Sequence, residues 1–183
     1  MEKKSIGNHS FIIDHFLTEE ECTRLILRSE AIGFEEAKVQ LDGNQVMMKG
    51  IRNNQRILLT DVELAEAMWF KLQPFMPSEI GRSEAIGLNE LFRFYKYEPG
   101  ERFKKHRDGS YIRNESEASY FTFLIYLNAD FEGGTTKLEE GIVEPETGRA
   151  LVFPHSLKHS GEQVIKGTKY VLRSDVMYRL INS

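Results

Sequence analysis

The sequence is poor in cysteine, in long apolar runs and in excess positive charge. Cys22 is the only cysteine among 183 residues, which excludes an intramolecular disulfide and favours a reducing compartment. No stretch has the length and apolar purity of a membrane span, and MEKKSIGNHS lacks the apolar run of a signal peptide. Lys and Arg number 24 against 28 Asp and Glu, and this net charge of −4 disfavours binding driven by nucleic-acid phosphates. We therefore expect a soluble cytoplasmic protein that binds neither membrane nor nucleic acid.

The remaining composition is that of an ordinary globular chain, with 40% hydrophobic and 28% charged residues. Its length allows one domain with a real core. Two helices are predicted in the N-terminal half. Thr18 and Glu21 form a capping box for a helix over about 18–32. Thr60 and Glu63 repeat the same pattern for a second helix.

After about residue 85 the pattern changes to strands. LNELFRFYKY, SYFTFLIYLN and KYVLRSDVMYRL are rich in β-branched and aromatic residues, and turn sequences such as EPGE and EPETG separate such segments. This order predicts an α+β protein, a β-sandwich or jelly roll with N-terminal helices packed against one sheet. We expect a single domain over 1–183, with 1–87 as a helical and strand support layer and 88–180 as the jelly-roll core.

The stretch FKKHRDGSY (103–111) places His106 and Asp108 two residues apart. In a strand, residues at this spacing project from the same face. An isolated H-x-D is most simply a surface pair, because short motifs often occur by chance. The alternative is a metal site of two histidines and one carboxylate, a set that suits non-haem Fe(II). That site needs a histidine from a later strand, and the chain offers His155 and His159.

Two cations follow these histidines. On a strand, Lys169, Val171 and Arg173 share one face. Burying two cations on a face of an otherwise apolar strand is costly, unless an anion lies opposite. The sequence therefore predicts an anion-binding pocket beside the candidate metal site.

Together these motifs resemble the Fe(II)- and 2-oxoglutarate-dependent dioxygenases, most closely their prolyl-4-hydroxylase-like branch. The resemblance rests on H-x-D, a histidine about fifty residues later and a lysine in the frame H-x-G-x-x-V-x-x-G-x-K-Y, and it covers roughly 88–180. It implies a double-stranded β-helix fold and the use of Fe(II), 2-oxoglutarate and dioxygen. It also implies hydroxylation of an unidentified protein side chain (prolyl-type) or small molecule, with decarboxylation of 2-oxoglutarate to succinate and CO2.

The resemblance also implies roles for individual residues. His106, Asp108 and His159 would be the metal ligands and the catalytic centre, and Lys169 would bind the distal carboxylate of 2-oxoglutarate. Arg173 departs from the family pattern and could share this carboxylate or reach the substrate. The full set expected around 2-oxoglutarate is Lys169, Tyr97, Tyr126, Arg173, Leu124 and Thr136.

Alternation along two predicted strands supports such a pocket. Thr122, Leu124 and Tyr126 share one face, whereas the residues between them are all apolar. Two polar segments, GIRNNQR (50–56) and the candidate lid GSYIRNESEAS (109–119), are expected near the substrate. The candidate substrate residues are Arg52, Asn53, Asn54, Arg93, Tyr95, Tyr111 and Arg113. His155 is interpreted as a plain loop histidine.

Two other functions remain open at this point. A cupin-like, metal-binding jelly roll without oxygenase activity would use His106, Asp108 and His159 on a different metal. Lys169 counts against it, because a hydrolase needs no cation ten residues beyond its last ligand. A non-enzymatic binding module is the third possibility, and the presence of all three ligands together with the lysine counts against it.

Overall fold

The computed structural model describes residues 1–36, 39–41, 44–46 and 53–181. In this part of the chain the structure is mostly β, with two helices. The helices are α1 (Glu19–Ile32) and α2 (Val62–Leu72), and a 3-10 turn (Gln73–Phe75) follows α2. The strands are β1 (Glu2–Ser5), β2 (Phe11–Asp14), β3 (Glu35–Glu36), β4 (Val39–Leu41), β5 (Asn44–Val46), β6 (Gln55–Thr60), β7 (Glu79–Ile80), β8 (Ser83–Leu88), β9 (Leu91–Tyr97), β10 (Phe103–His106), β11 (Glu117–Tyr126), β12 (Glu132–Gly133), β13 (Thr136–Leu138), β14 (Gly141–Val143), β15 (Ala150–Pro154), β16 (His159–Gly161), β17 (Val164–Lys166) and β18 (Lys169–Leu180).

Ten strands form one large antiparallel sheet. Its order is β1-β2-β15-β11-β18-β9-β6-β3, with β8 paired to β18 and β7 paired to β8. A small sheet has the order β10-β16-β13-β14, and β12–β17 and β4–β5 are separate two-stranded pairs. The long central strands β11 and β18 pair from Glu117↔Arg179 to Tyr126↔Val171. The strands expected after residue 85 are thus present, and antiparallel pairing joins them into two main layers.

Two hydrophobic clusters lie on opposite faces of the large sheet. The outer cluster joins sheet residues such as Phe94 and Phe123 to Cys22 of α1 and Met68 of α2. The inner cluster joins Tyr126 and other sheet residues to residues of the small sheet. Alternation along β11 explains this division, because consecutive strand residues point to opposite faces. Cys22 is fully buried within the outer cluster.

One of the two predicted helix caps is confirmed and the other is wrong. Thr18 caps α1 in a complete capping box with Glu21. At α2 the cap is Asp61, whose carboxylate accepts a hydrogen bond from the Leu64 N–H at 2.9 Å. Thr60 cannot serve as this cap, because it is the last residue of β6, in register with β9.

Strands β1 and β6 were not foreseen in the sequence. Strand β1 has the polar sequence EKKS, and β6 begins within the segment predicted to be a polar loop. Each is held by antiparallel pairing with a more apolar strand: β1 pairs with β2, and β6 pairs with β9. Among the described residues, neither helix is long and apolar enough to cross a membrane.

Candidate active site

The candidate metal ligands meet at one end of the small sheet. His106 is the last residue of β10, His159 is the first of β16, and the two are direct partners across the strand pair. Asp108 lies two residues beyond the end of β10. The expectation that His106 and Asp108 share a strand face is therefore wrong, because only His106 is in the strand. Tertiary pairing still brings one ligand atom of each residue within 4.8 Å of the others.

Both imidazole rings present Nε2 to the Asp108 carboxylate. The distance from His106 Nε2 to Asp108 Oδ1 is 3.6 Å, and from His159 Nε2 to Asp108 Oδ2 it is 3.5 Å. Nδ1 of His106 lies 2.8 Å from the Lys104 carbonyl oxygen, and Nδ1 of His159 lies 3.1 Å from that of Leu157. A carbonyl can only accept, so each Nδ1 is the protonated nitrogen. Each Nε2 lone pair is thus left for a metal ion.

The protonation states of this group suit metal binding. Burial lowers the pKa of His159 to about 4, so the ring is neutral near pH 7. Burial alone would raise the pKa of Asp108, but the Arg173 guanidinium and the hydrogen bond from Thr122 hold it well below its usual range. The group therefore offers Nε2 of two imidazoles and one carboxylate, the donor set that suits non-haem Fe(II) with open positions.

Aromatic rings fix the two imidazoles from behind. Phe103 stacks on His106 with ring centroids 3.6 Å apart and an angle of 19° between the rings. Phe153 packs against His159 at 4.5 Å. Both phenyl rings line the pocket into which the ligands project. Of the other residues predicted for the site, the same pocket contains Tyr95, Tyr97, Leu124, Thr136, Lys169 and Arg173.

Lys169 is a buried cation without an anionic partner in the described part of the chain. Its Nζ donates a hydrogen bond of 2.6 Å to the Gly134 carbonyl oxygen and lies 5.4 Å from the ring centroids of Tyr97 and Tyr126. Burial lowers the pKa of Lys169 to about 7. A buried ammonium is costly unless it is paired, so this geometry calls for an anionic ligand in the pocket.

Gly134 is required for this close approach. Its φ is +66°, which side-chain-bearing residues rarely adopt, and a Cβ there would lie 2.9 Å from the Phe131 ring and 3.2 Å from Lys169 Cδ. The absence of a side chain at Gly134 thus allows its backbone acceptor to lie against Lys169.

Thr136 lines the same pocket and makes a polar contact with Tyr126, which is fully buried behind it and is not among the lining residues. The Tyr126 hydroxyl donates to Thr136 Oγ1 at 2.7 Å. Burial raises the pKa of Tyr126, so the phenol keeps its proton and remains a donor. The hydroxyl proton of Thr136 is then left to donate to an acceptor in the pocket.

Arg173 lies against the candidate ligand Asp108. Its Nη2 is 3.3 Å from Asp108 Oδ1 and 3.0 Å from Asp175 Oδ1. Asp175 is also bound by Arg93, at 2.9 Å. Among the described residues, Arg173 Nε is buried without a hydrogen-bond partner. Asp175 was not identified from the sequence, although its position two residues after Arg173 on a strand places both on one face.

The predicted substrate residues before the jelly roll lie in different settings. Arg52 falls outside the described residues. Asn53 Oδ1 accepts a hydrogen bond of 2.9 Å from the Arg102 N–H, which ties this segment to the start of β10. Asn54 is buried, and its side chain donates to the Gln55 carbonyl oxygen at 3.0 Å.

The candidate lid is held by its own contacts. Arg113 binds the carboxylates of Glu90, at 2.7 Å, and Glu117, at 3.1 Å. The Tyr111 N–H donates to Ser119 Oγ at 2.8 Å. Neither Tyr111 nor Arg113 is among the described residues that line the pocket. The structure thus brings Tyr95 into the pocket, but not these two.

His155 differs from its predicted character. It lies on a turn after β15, as expected, but it is only 5% exposed. It hydrogen-bonds to Ser119 and to Thr122, and Thr122 in turn donates to Asp108. It is therefore not a plain loop histidine. The inward face of Thr122 followed from strand alternation, but its contact with His155 depends on the pairing of β11 with β15.

Residues 92–174 match the family model of the 2OG-Fe(II) oxygenase superfamily. The matched segment contains His106, Asp108, His159 and Lys169. Over this segment, the chain is therefore similar to the 2OG-Fe(II) oxygenases. This family uses Fe(II), 2-oxoglutarate and dioxygen, and the His–Asp–His group and the buried lysine fit that requirement. The cupin-like alternative is not favoured. The comparison with curated proteins gave no match.

Solved structures with the same fold include three prolyl hydroxylases. A viral collagen prolyl hydroxylase from Paramecium Bursaria Chlorella virus-1, in complex with 2OG, has 21% identity and a TM-score of 0.66 over 95% of this chain and 98% of its own. A Pseudomonas putida prolyl-4-hydroxylase has 18% identity and a TM-score of 0.67 over 92% and 93%. A Trichoplax adhaerens prolyl hydroxylase, in complex with a hypoxia inducible factor peptide fragment, has 21% identity and a TM-score of 0.71 over 92% and 83%. These likenesses establish the shared jelly-roll fold.

Proposed function

We propose that this protein is an Fe(II)- and 2-oxoglutarate-dependent hydroxylase whose substrate is a protein side chain of prolyl type or a small molecule. One observation carries the proposal: the His–Asp–His group projects into the same pocket as Lys169, which has no anionic partner among the residues that the structure describes. The shared fold with prolyl hydroxylases, one of them in complex with a peptide, supports a peptide substrate.

In this proposal Fe(II) is held by Nε2 of His106, Nε2 of His159 and the carboxylate of Asp108. When bound, the metal supplies the coupling of 2-oxoglutarate decarboxylation, to succinate and CO2, with insertion of one oxygen atom into a substrate C–H bond. The protein residues orient both imidazoles, through their Nδ1–H contacts with backbone carbonyls. They also exclude water, because the ligand group lies between Phe103 and Phe153.

At the other end of the pocket, Lys169 binds the distal carboxylate of 2-oxoglutarate. Its pKa of about 7 means that the arriving carboxylate stabilises the charged ammonium form. Thr136, oriented by Tyr126, donates a second hydrogen bond to the same carboxylate. Tyr97 and Leu124 form the walls along the carbon chain of the co-substrate.

Arg173 has a different proposed role, because its contacts are with Asp108 and Asp175. It holds the ligand carboxylate, and Arg93 supports it through Asp175. Tyr95 is the proposed substrate contact within the pocket. The remaining substrate candidates, Arg52, Asn53, Asn54, Tyr111 and Arg113, are proposed to border the path by which the substrate enters.

The rest of the chain is proposed to support this site. Cluster residues shared between α1, α2 and the large sheet support the assignment of 1–87 as a supporting layer for a jelly-roll core over 88–180, in one domain. The single cysteine, buried at position 22, supports a cytoplasmic location.

Anaerobic calorimetry tests the proposed function. Metal-free protein is titrated with Fe(II) and then with 2-oxoglutarate, and we expect both to bind. Asp108→Ala should lose both events. Lys169→Met should keep Fe(II) binding and weaken 2-oxoglutarate binding by roughly 10–100-fold, the value of a hydrogen bond to a charged group. The matched control Lys137→Met removes an exposed lysine and should leave both affinities unchanged. Metal binding without any response to 2-oxoglutarate would contradict the proposal.

A further inference from the structure

A chain of buried hydrogen bonds ends on the carboxylate of Asp108. Thr122 Oγ1 donates to Asp108 Oδ2 at 2.5 Å. His155 Nδ1 lies 3.0 Å from Thr122 Oγ1, and His155 Nε2 lies 2.8 Å from Ser119 Oγ. Thr122 and Ser119 are both 1% exposed and His155 is 5% exposed. Two hydroxyls and an imidazole at this depth are costly to bury unless their hydrogen bonds are complete.

With a carboxylate at Asp108 and a neutral imidazole at His155, only one arrangement of protons gives every hydrogen bond in this chain a donor and an acceptor. The Thr122 hydroxyl donates its proton to the Asp108 carboxylate. Thr122 can then only accept from His155, which places the proton on Nδ1. Burial lowers the pKa of His155, so the ring is neutral and Nε2 accepts from the Ser119 hydroxyl. Ser119 Oγ in turn accepts from the Tyr111 N–H at 2.8 Å. Each group therefore has one defined role.

The chain is separate from the ion pairs on the other side of Asp108. Arg173 contacts Oδ1, whereas Thr122 contacts Oδ2. Asp108 lies beyond the end of β10, so strand pairing does not fix its side chain. Thr122 lies within β11, in register with both β15 and β18. The Thr122 hydroxyl, fixed by the large sheet, thus restricts the orientation of the Asp108 carboxylate, which lies on a loop.

The outer end of the chain is the candidate lid. The Ser119 N–H donates to the Tyr111 carbonyl at 2.9 Å, and the Tyr111 N–H returns to Ser119 Oγ. This reciprocal pair anchors the segment 109–118 to β11. Ser119 Oγ also hydrogen-bonds to His155. The same oxygen atom therefore contacts both the candidate lid and the hydrogen-bond chain that ends on Asp108.

We propose that Thr122 and His155 are positioning residues, which hold the Asp108 carboxylate in the orientation for the metal ion, with Ser119 as their anchor to the segment 109–118. This inference rests on the proposed function, because it assigns Asp108 as a metal ligand. Residues behind metal ligands typically contribute about 10–100-fold to metal affinity.

Co(II) is the probe for this inference, since its visible absorption reports both its affinity and the arrangement of its ligands. Thr122→Val removes the hydroxyl and keeps the shape, and we expect Co(II) binding to weaken about 10-fold with an altered spectrum. Thr122→Ser keeps the hydroxyl and should retain the wild-type affinity and spectrum. His155→Leu should weaken Co(II) binding, while His155→Asn, which keeps a donor near the position of Nδ1, should restore part of it.

A double-mutant cycle separates a relay from two independent effects. If His155 acts through Thr122, the variant Thr122→Val/His155→Leu should bind Co(II) no more weakly than Thr122→Val alone. Additive losses would contradict the relay. Ser29→Ala is the matched control for loss of a buried hydroxyl, because Ser29 lies in α1 and bonds the Ile26 carbonyl. It should lower the melting temperature without changing Co(II) binding.

The outcomes distinguish this inference from the proposed function. Wild-type protein that binds no Co(II) would overturn both. Wild-type binding with unchanged affinity and spectrum in Thr122→Val and His155→Leu would leave the proposed function intact and overturn the positioning role. If Thr122→Val does not fold, the pair His155→Leu and His155→Asn gives the same decision.

Discussion

The two faces of the large sheet bury different kinds of side chain. On the outer face, Phe123 and Ile125 of β11 belong to a cluster that is apolar almost throughout and reaches both helices. On the inner face of the same strand, Thr122 and Tyr126 are equally buried but polar, and each has a specific hydrogen-bond partner. From Phe121 to Tyr126, beyond the register shift after Ser119, the strand therefore turns its odd-numbered residues to the core and its even-numbered ones to the pocket side.

The outer face of the sheet therefore contributes mainly to stability and the inner face mainly to the positions of the pocket residues. Apolar burial contributes roughly 25 cal/mol per Å2 and has no directional requirement. Polar burial contributes little net stability, but it fixes positions, because each donor and acceptor must find its partner. Substitutions on the outer face should therefore act on the free energy of unfolding, and those on the inner face should act on ligands.

The largest effect is expected from removal of a ligand on the pocket side. His159→Ala should weaken metal binding by at least about 100-fold and abolish succinate production, because two ligands remain from the set of three. The fold should survive, since the lost group is a neutral ring at the edge of a cavity. Calorimetry and a succinate assay measure the two effects, with the exposed His9→Ala as control. Full succinate production by His159→Ala would refute the ligand assignment.

On the outer face, Phe123→Ala should lower the free energy of unfolding by about 3–5 kcal/mol. Phe123 is 1% exposed and packs edge-on against Phe16, with ring centroids 5.3 Å apart. Urea unfolding measures the loss, and metal affinity of the folded protein should stay the same. Phe70→Ala is the control, because Phe70 is 76% exposed and its loss should change stability by less than about 0.5 kcal/mol. A large change in metal affinity in Phe123→Ala would show that the two faces are not independent.

Lys169 gives an effect of intermediate size that depends on pH. Its folded-state pKa of about 7 lies below the unfolded value of about 10.4. Between these values the unfolded chain binds more protons, so this residue makes unliganded protein more stable as pH rises, by up to about 1.4 kcal/mol per pH unit. Below pH 7 the contribution is constant. Lys169→Met should lack it.

Urea unfolding at pH 7 and pH 9, for wild-type protein and Lys169→Met, measures this difference. Comparing the two proteins cancels the other groups that titrate in this range. In the wild type, 2-oxoglutarate binding at pH 8–9 should be accompanied by proton uptake, which calorimetry in buffers of different ionisation enthalpy detects. Identical pH dependence in the two proteins would mean that Lys169 is not desolvated as the structure indicates.

The smallest effect is expected outside both faces. Lys137 and Glu162 form an exposed ion pair of 2.9 Å on the small sheet. Lys137→Ala should change the free energy of unfolding by less than about 1 kcal/mol, because solvent and salt screen such pairs. Urea unfolding at low and high salt measures it. A loss well above 1 kcal/mol that persists at high salt would contradict this reading.

The sequence predicts the part of the site that depends on local periodicity. Alternation along 121–127 identified the inward face of β11, and the spacing of Lys169 and Arg173 placed both cations in the pocket. The histidines followed from the motif and not from strand geometry alone, since Asp108 lies outside β10. The capping box of α1 was readable because all its partners lie within four consecutive residues.

Features that depend on long-range pairing were not predictable in this way. The contact between Thr122 and His155 exists only because β15 pairs with β11. Arg113 was a candidate substrate residue in the sequence. In the structure its guanidinium binds the carboxylate of Glu90, which lies 23 residues earlier in the chain. Strand β6 follows polar sequence, and its place beside β9 comes from that neighbour.

The position of β10 at the edge of the small sheet has a further consequence. An edge strand leaves backbone groups open to pairing with another molecule, and exposed lysines are a common protection against such self-association. Lys104 and Lys105, between Phe103 and His106, are exposed on this strand. Lys104 and Lys105 are thus placed to prevent β10 from pairing with another molecule. A slip of one residue in this strand would turn His106 to the opposite face, away from Asp108 and His159.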